Sequence, residues 1–193
     1  MATKKPTREE AMALLKKYNK SEALINHALA VEAVMGYYAD KFGEEDLEKW
    51  RVIGLAHDLD YEKYPEQHCT KTKEILTDEG WPEDYIRAIV SHGWKICSDV
   101  EPVAKMEKVL YTIDELTGLI VASVLMRPSK SVLDLTVSSL KKKYKNKNFA
   151  AGVDRNIIEE GAKMLGMELT EVMEETIKAM QQEADALGLK GNL

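Results

Sequence analysis

Residues 21–43 read SEALINHALAVEAVMGYYADKFG, and this stretch decides the fold class. Ser21 is a preferred N-cap residue, and Gly43 stands where a helix of this length is expected to stop. Apolar residues recur between them at intervals of three or four, as on the buried face of an amphipathic helix: Leu24, Ala28, Val31, Met35 and Tyr38. The stretch predicts one long helix, with His27 beside its inward stripe.

The same period continues on both sides of this helix, and strand signals are nearly absent. Thr7 with Glu10 forms a capping-box pattern for a first helix, which we expect to run to about Tyr18. Further helices are predicted at about 45–58, 66–79, 82–93, 102–127, 131–144, 154–165 and 170–187. The prediction is an all-α, single-domain helical bundle over residues 1–193, with a C-terminal helical extension at about 129–188.

Charge, hydropathy and cysteine spacing argue against several classes of function. The chain has 27 Lys and Arg against 33 Asp and Glu, a net charge of −6, which argues against general binding of nucleic acid. The cationic run Lys141–Lys147 is interpreted as a solvated helix end. The start, Met1–Pro6, is basic with no apolar run behind it, and no window is long enough to span a bilayer, so we expect a cytoplasmic protein without membrane contact. Cys69 and Cys97 lack a zinc or redox spacing and are expected to be reduced, buried or half-buried thiols.

The four histidines all fall in the first half of the chain: His27, His57, His68 and His92. Neutral imidazole is a good ligand for zinc, iron, manganese and nickel, and carboxylates add charge and can bridge two ions. His57 and Asp58 are adjacent and supply one ligand of each kind. Asp114 interrupts the apolar face of 108–117, where an unpaired carboxylate would be costly unless it faced a metal or another charge.

A histidine on one helix, a His-Asp pair on the next and an aspartate on a later apolar helix resemble the arrangement of the HD superfamily of metal-dependent phosphohydrolases. Subgroups with two metals carry two further histidines in the interval where His68 and His92 lie. The resemblance covers about Ser21–Leu119, which would be the metal-binding core. It implies two divalent ions, from among Mn, Fe, Mg, Zn and Ni. By this likeness, one ion is held by His27, His57, Asp58 and Asp114, and the second by Asp58, His68 and His92.

The function that this resemblance implies is cleavage of a phosphomonoester or phosphodiester, with a nucleotide among the candidate substrates, by a metal-activated water. His57 and Asp58 would be the catalytic residues. Cationic side chains normally assist phosphate binding, and the candidates here are Arg127, Lys130 and Lys95. Three carboxylates are available as proton carriers or as outer partners of the ligands, Asp60, Glu62 and Glu115, and two aromatic rings could stack a nucleobase, Tyr61 and Trp94.

One departure and two alternatives accompany this interpretation. Many HD relatives continue the His-Asp pair with isoleucine, glycine and lysine, whereas this chain has Leu59, Asp60 and Tyr61. A lysine that can assist phosphate is therefore absent from its usual place, and Lys63 is the nearest substitute. The same ligand set resembles that of HD-fold di-iron oxygenases acting on small polar substrates, and a third reading is a sensor module that binds a nucleotide or metal without catalysis. Ligands alone do not separate these three.

Overall fold

The computed structural model describes residues 5–193, and within that range the chain forms nine α-helices and no β-strand. This confirms the all-α prediction. The helices are α1 Arg8–Tyr18, α2 Glu22–Lys41, α3 Leu47–Ala56, α4 Thr70–Asp78, α5 Glu83–Val90, α6 Lys105–Leu125, α7 Val137–Lys145, α8 Arg155–Leu165 and α9 Leu169–Gln182. Two short 3₁₀ turns, Pro65–Gln67 and Ser91–Gly93, lie before α4 and after α5.

The chain divides into two compact units, and the division falls inside α6. The first unit ends at Tyr111, and the second runs from Thr112 to Leu193. The single-domain organisation predicted above stays a prediction.

Several helix ends follow the sequence signals. Thr7 and Glu10 form the predicted capping box of α1, with the Thr7 hydroxyl accepting from the Glu10 N–H and the Glu10 carboxylate accepting from the Thr7 N–H. Asp154 caps α8, and Gly166 ends it in the left-handed conformation that glycine adopts without strain. Lys142, Lys143 and Lys145 lie in the last turn of α7, so the cationic run does mark a helix end.

Three predicted boundaries are wrong. The helix expected at 66–79 begins only at Thr70, because the chain first makes a 3₁₀ turn and then turns left-handed at Cys69. The helix expected from Ser131 begins at Val137, because Arg127 bonds to Asp134 and holds the preceding residues in turns. The last helix ends at Gln182 rather than at 187.

The core of the first unit lies where α2 packs on α3. Each fully buried apolar side chain there contributes about 1.5–3 kcal/mol relative to exposure. The group comprises Val31, Val34, Met35 and Tyr38 of α2 and Val52, Ile53 and Leu55 of α3. In the second unit α9 packs on α7 and α8, with Leu140, Ile158, Val172 and Met180 fully buried.

Among the described residues, every helix is too short or too polar to cross a membrane. Residues 1–4, part of the start from which a cytoplasmic location was expected, lie outside the described residues. That location stays a prediction.

Candidate metal centre

The four histidines and Asp58 belong to the first unit and converge from four parts of it. His27 lies on α2, and His57 is the C-cap of α3, directly followed by Asp58. His68 follows the first 3₁₀ turn and His92 lies in the second. One helix, the end of another and two turns thus bring to one place side chains that are up to 65 positions apart (27 to 92) in sequence.

Gly54 allows α3 to approach α2 closely enough for the first two histidines to meet. A Cβ at Gly54 would lie 2.9 Å from Met35 Cγ and 3.1 Å from Glu32 Cα, which is closer than side chains pack. The carbonyl of Gly54 also accepts the Nδ1–H of His57 at 2.7 Å, one turn later. One small residue therefore sets both the spacing of the helices and the orientation of a ring.

We call His27, His57 and the Oδ2 atom of Asp58 the first position. The Nε2 atoms of the two histidines are 3.2 Å apart. Asp58 Oδ2 lies 3.2 Å from His57 Nε2 and 3.6 Å from His27 Nε2. Ligand atoms of these three residues all lie within 4.8 Å of one another, a group that could hold a metal ion.

We call His68, His92 and the Oδ1 atom of Asp58 the second position. Its two Nε2 atoms are 3.1 Å apart, and each lies 3.4 Å from Asp58 Oδ1. Asp58 thus presents one carboxylate oxygen to each pair of rings. A carboxylate placed in this way can bridge two cations.

The hydrogen bonds of three of these rings fix their tautomers and leave the Nε2 atoms available to bind a cation. Carbonyl oxygens only accept, so the Nδ1 atoms of His57 and His92 must donate to Gly54 and Ile89 respectively. His68 Nδ1 faces a carboxylate oxygen of Asp60 at 2.6 Å and donates to it. In a neutral ring, each Nε2 then carries a lone pair. Lone pairs facing each other at 3.1 Å repel unless a proton or a metal ion lies between them, so the donor set fits divalent metal binding.

Charge in the cluster follows the same geometry. Burial opposes ionisation of Asp58, but the charge and hydrogen bonds of His57 and His92 outweigh it and hold the pKa of Asp58 well below its ordinary value. Burial likewise opposes charging of His68, and the hydrogen bond to Asp60 with the charge of Asp58 raises its pKa above the ordinary value. The ionised Asp58 carboxylate therefore lies between rings whose Nε2 atoms can take up either a proton or a metal ion.

Asp60 is the residue whose role the sequence left open. It is fully buried, with Oδ1 accepting from His68 Nδ1 and Oδ2 accepting from the Thr72 N–H at 2.8 Å. The second bond caps α4, whose N-cap residue, Cys69, makes no side-chain cap bond. The only signal in the sequence was a second carboxylate two residues after Asp58, next to the apolar Leu59.

The turn after Asp60 is anchored to the start of α2. Glu62 accepts from the backbone N–H groups of Lys20 and Ser21 at 2.7 and 2.8 Å. These bonds lower the pKa of Glu62 below its ordinary value. Its neighbour Tyr61 is 47% exposed, with its ring edge-on to His68 at 5.2 Å between centroids. The turn places an aromatic surface at the exposed side of the second position.

Two cysteines lie beside the second position. Cys69 is buried and Cys97 half-buried; both are free thiols, as predicted. Their sulfurs are 2.8 Å apart, a proximity for which their spacing of 28 residues gives no signal. The hydrogen bond between the two sulfurs, against the effect of burial, lowers the pKa of Cys97 to about 7, and the same bond with burial raises the pKa of Cys69.

The predicted substrate-binding cations lie in different surroundings. Lys95 is exposed on the turn after His92, with its Nζ 4.0 Å from the centre of the Trp94 ring. Trp94 is half-buried and also packs against Tyr111. Arg127 lies in the second unit and donates to the side chain and carbonyl of Asp134. Lys130, also in that unit, is exposed with a left-handed backbone.

The two remaining carboxylates also belong to the second unit. Asp114 is half-buried on α6, between the fully buried Ile113 and Leu116 on a largely apolar segment. Its role as a ligand stays a prediction. Glu115 accepts from the Asp154 N–H at 3.0 Å, so it has a structural role at the start of α8.

Comparison with known proteins agrees with this geometry. Residues 24–137 match the HD domain family model, a span of more than half of the chain that includes all six predicted metal ligands. The chain therefore belongs to the HD domain family. No curated protein and no solved structure matches it.

Proposed function

We propose that this protein is a dinuclear, metal-dependent phosphohydrolase that cleaves a phosphomonoester or phosphodiester. The observation that carries the proposal is Asp58, whose two carboxylate oxygens each face the Nε2 atoms of a different histidine pair at 3.2–3.6 Å. That donor set suits two divalent ions. Two bound ions would supply Lewis-acid activation of a water and of the phosphate oxygens.

The ligands divide between the ions as follows in this proposal. His27, His57, Asp58 and Asp114 hold one ion, and Asp58, His68 and His92 hold the other. Membership of the HD domain family and the position of Asp114 on an apolar segment of α6 support its inclusion. His57 and Asp58 are the catalytic residues in this proposal, because Asp58 faces both metal positions and His57 precedes it directly in the chain.

The remaining residues of the first unit hold the ligands and meet the substrate. Asp60 keeps the His68 ring oriented with Nε2 inward, and Tyr61 offers a partly exposed ring on which a nucleobase could stack. Lys95 is our first candidate for a phosphate contact. Arg127 would have to leave Asp134 before binding phosphate, so we place it after Lys95 and Lys130. Small phosphorylated compounds rather than nucleic acid or membrane are the expected partners.

The experiment uses metal-free protein with reduced thiols, loaded under strictly anaerobic conditions with manganese, zinc, cobalt or iron in turn. Elemental analysis then counts the ions, and a panel of phosphomonoesters, phosphodiesters and nucleotides is assayed for release of phosphate or alcohol. We expect two ions per chain and cleavage without oxygen, including by the manganese form. Asp58→Asn is the inactive control.

The alternatives give different results in the same experiment. An oxygenase must pass electrons to dioxygen, so it would be inert on the panel with every ion, and its iron form would consume oxygen with a polyol or phosphonate. A sensor module would bind metal and a nucleotide without turnover. Either result would replace the hydrolase assignment.

A further inference from the structure

We infer that Cys69 is a sulfur ligand of the second position, which makes that position bind thiophilic divalent ions such as zinc, cobalt or ferrous iron more tightly than manganese or magnesium. This inference rests on the dinuclear centre proposed above and adds a ligand that the six-residue HD pattern does not contain. Thiolate is a soft ligand, whereas magnesium and manganese prefer oxygen.

The first support is the position of the sulfur. The Sγ atom of Cys69 and ring nitrogens of His68 and His92 all lie within 4.8 Å of one another. A zinc ion has Zn–S and Zn–N bonds of about 2.3 and 2.1 Å, so a tetrahedral site holds a sulfur and a nitrogen about 3.6 Å apart. A closing movement of about 1.2 Å or less brings all three atoms onto one ion. With Asp58 Oδ1, the second position then has four ligands.

The second support is the backbone that places this sulfur. Cys69 has φ of 65°, a left-handed conformation that is uncommon for a residue other than glycine, asparagine or aspartate. It is also the N-cap position of α4 and makes no side-chain cap bond there. Asp60 supplies the helix cap instead, and the buried Cys69 side chain lies beside His68 and His92. Backbone strain of this kind concentrates at functional sites.

The third support is that the opposite wall is shaped around the two sulfurs. Gly93 follows His92, and a Cβ at that position would overlap the Sγ atoms of both Cys69 and Cys97. The Gly93 carbonyl accepts the N–H groups of Ile96, Cys97 and Ser98, which fixes the turn carrying Cys97. Two helix-end turns thus meet with space for sulfur between them.

Metal binding requires the thiolate, so the Cys69 proton must leave as the metal–sulfur bond forms. That proton passes to water, and the Cys97 S–H, with its sulfur 2.8 Å away, donates to the metal-bound sulfur. No oxidant or reductant is needed, and both sulfurs stay reduced. Cys97 is a positioning residue in this arrangement, and Cys69 is the ligand.

The experiment is cobalt titration of the reduced, metal-free protein, followed by absorption spectroscopy. Cobalt bound to thiolate gives an intense sulfur-to-metal charge-transfer band in the near ultraviolet, and weaker visible bands report cobalt bound to any ligands. We expect the charge-transfer band in the wild type, its loss in Cys69→Ser, and its retention in the matched variant Cys97→Ser, which keeps a hydrogen-bond donor. Circular dichroism checks that both variants remain helical.

A second measurement does not depend on either variant folding. The wild type is treated with iodoacetamide with and without zinc, and the modified peptides are identified by mass spectrometry. Zinc should slow alkylation of Cys69 at least tenfold. Unchanged alkylation of Cys69 in protein that holds two zinc ions would overturn the inference.

The outcomes separate this inference from the proposed function. Two bound cobalt ions without a charge-transfer band would overturn the sulfur ligand and leave the dinuclear centre standing. A charge-transfer band that is lost in Cys97→Ser and kept in Cys69→Ser would make Cys97 the ligand and would also overturn the inference. Absence of all cobalt bands, with no ion bound, would remove the metal centre itself and this inference with it.

Discussion

The two metal positions differ in how the chain builds them. The first position rests on helices, with His27 inside α2 and His57 at the end of α3, brought close because Gly54 has no side chain. The second position rests on turns, with His68 after one 3₁₀ turn and His92 inside another. Only Asp58 is common to both. A site on helices inherits its geometry from packing, whereas a site on turns needs side chains such as Asp60 to hold it.

The largest effect should come from the residue that the two positions share. Asp58→Asn removes a negative charge that faces four histidines, and amide nitrogen cannot ligate as carboxylate does. We expect loss of both ions and a fall in phosphoesterase activity greater than the roughly 10–100-fold cost of removing an outer partner. Elemental analysis and kcat/KM measure the two effects.

Asp40→Asn is the control for this change, because Asp40 is an exposed carboxylate on α2. It should keep both ions and full activity. An Asp58→Asn protein that retains two ions would show that the two positions do not share this carboxylate.

Single histidine replacements should separate the two positions. His92→Ala removes one of the two facing Nε2 atoms of the second position and leaves His27, His57 and Asp58 in place, so we expect about one ion per chain. His27→Ala should likewise leave about one ion, held at the second position. Metal counts with circular dichroism at equal protein concentration measure this.

Equal and complete loss of metal from both variants, with helical content unchanged, would indicate a single ion held by all four rings. Loss of helical content would instead show that the ring contacts stabilise the fold. The split between the two variants is therefore the direct test of a dinuclear centre.

The same contrast explains how much the sequence could predict. Helical periodicity and capping residues predicted α1, α2 and the end of α3, so the side chains of the first position could be placed on known elements. The helix predicted at 66–79 was wrong in its first turn, because periodicity does not reveal a left-handed residue at Cys69. Contacts between distant turns, such as the one between Cys69 and Cys97, leave no periodic signal at all.

Residue type was informative where the chemistry is restrictive and uninformative where it is not. Imidazoles and the His-Asp pair pointed to metal binding, and the structure brings all four rings together. Asp60 was only one of several available carboxylates. Its role depends on the distance from His68 Nδ1 and on the Thr72 N–H that it caps, which are properties of the folded chain.

A change at Asp60 should weaken the second position selectively. In Asp60→Asn one carboxylate oxygen becomes an amide nitrogen, so either the His68 ring or the Thr72 N–H loses its acceptor. We expect affinity for the second ion to fall about 10–100-fold, as for other outer partners of ligating histidines. The unsatisfied buried group should also lower the free energy of unfolding by about 1–3 kcal/mol.

Metal titration by calorimetry and urea unfolding of the metal-free protein measure these two effects. Asp78→Asn, at an exposed carboxylate on α4, is the matched control and should change neither. An equal fall in affinity for both ions in Asp60→Asn would mean that Asp60 acts on the whole centre rather than on the second position alone.

The smallest effect should come from Glu62, which joins the turn of the second position to the start of α2. The Ser21 side chain makes no cap bond, and the Glu62 carboxylate accepts from the Lys20 and Ser21 N–H groups instead. Glu62→Gln should therefore lower the urea midpoint at pH 7 slightly. Loss of an N-cap serine that makes a cap bond costs about 1 kcal/mol, but Ser21 makes none, so Ser21→Ala should leave the midpoint unchanged. The folded-state pKa of Glu62 lies below its ordinary value of 4.5, so its stabilising contribution is present above pH 4.5 and is lost as the pH falls through the lowered value. The difference between wild type and Glu62→Gln should accordingly persist from pH 7 to about pH 5 and close in more acidic buffer. A difference that stays constant at low pH, or a Ser21→Ala protein less stable than Glu62→Gln, would assign the cap to Ser21 and leave the turn without this anchor.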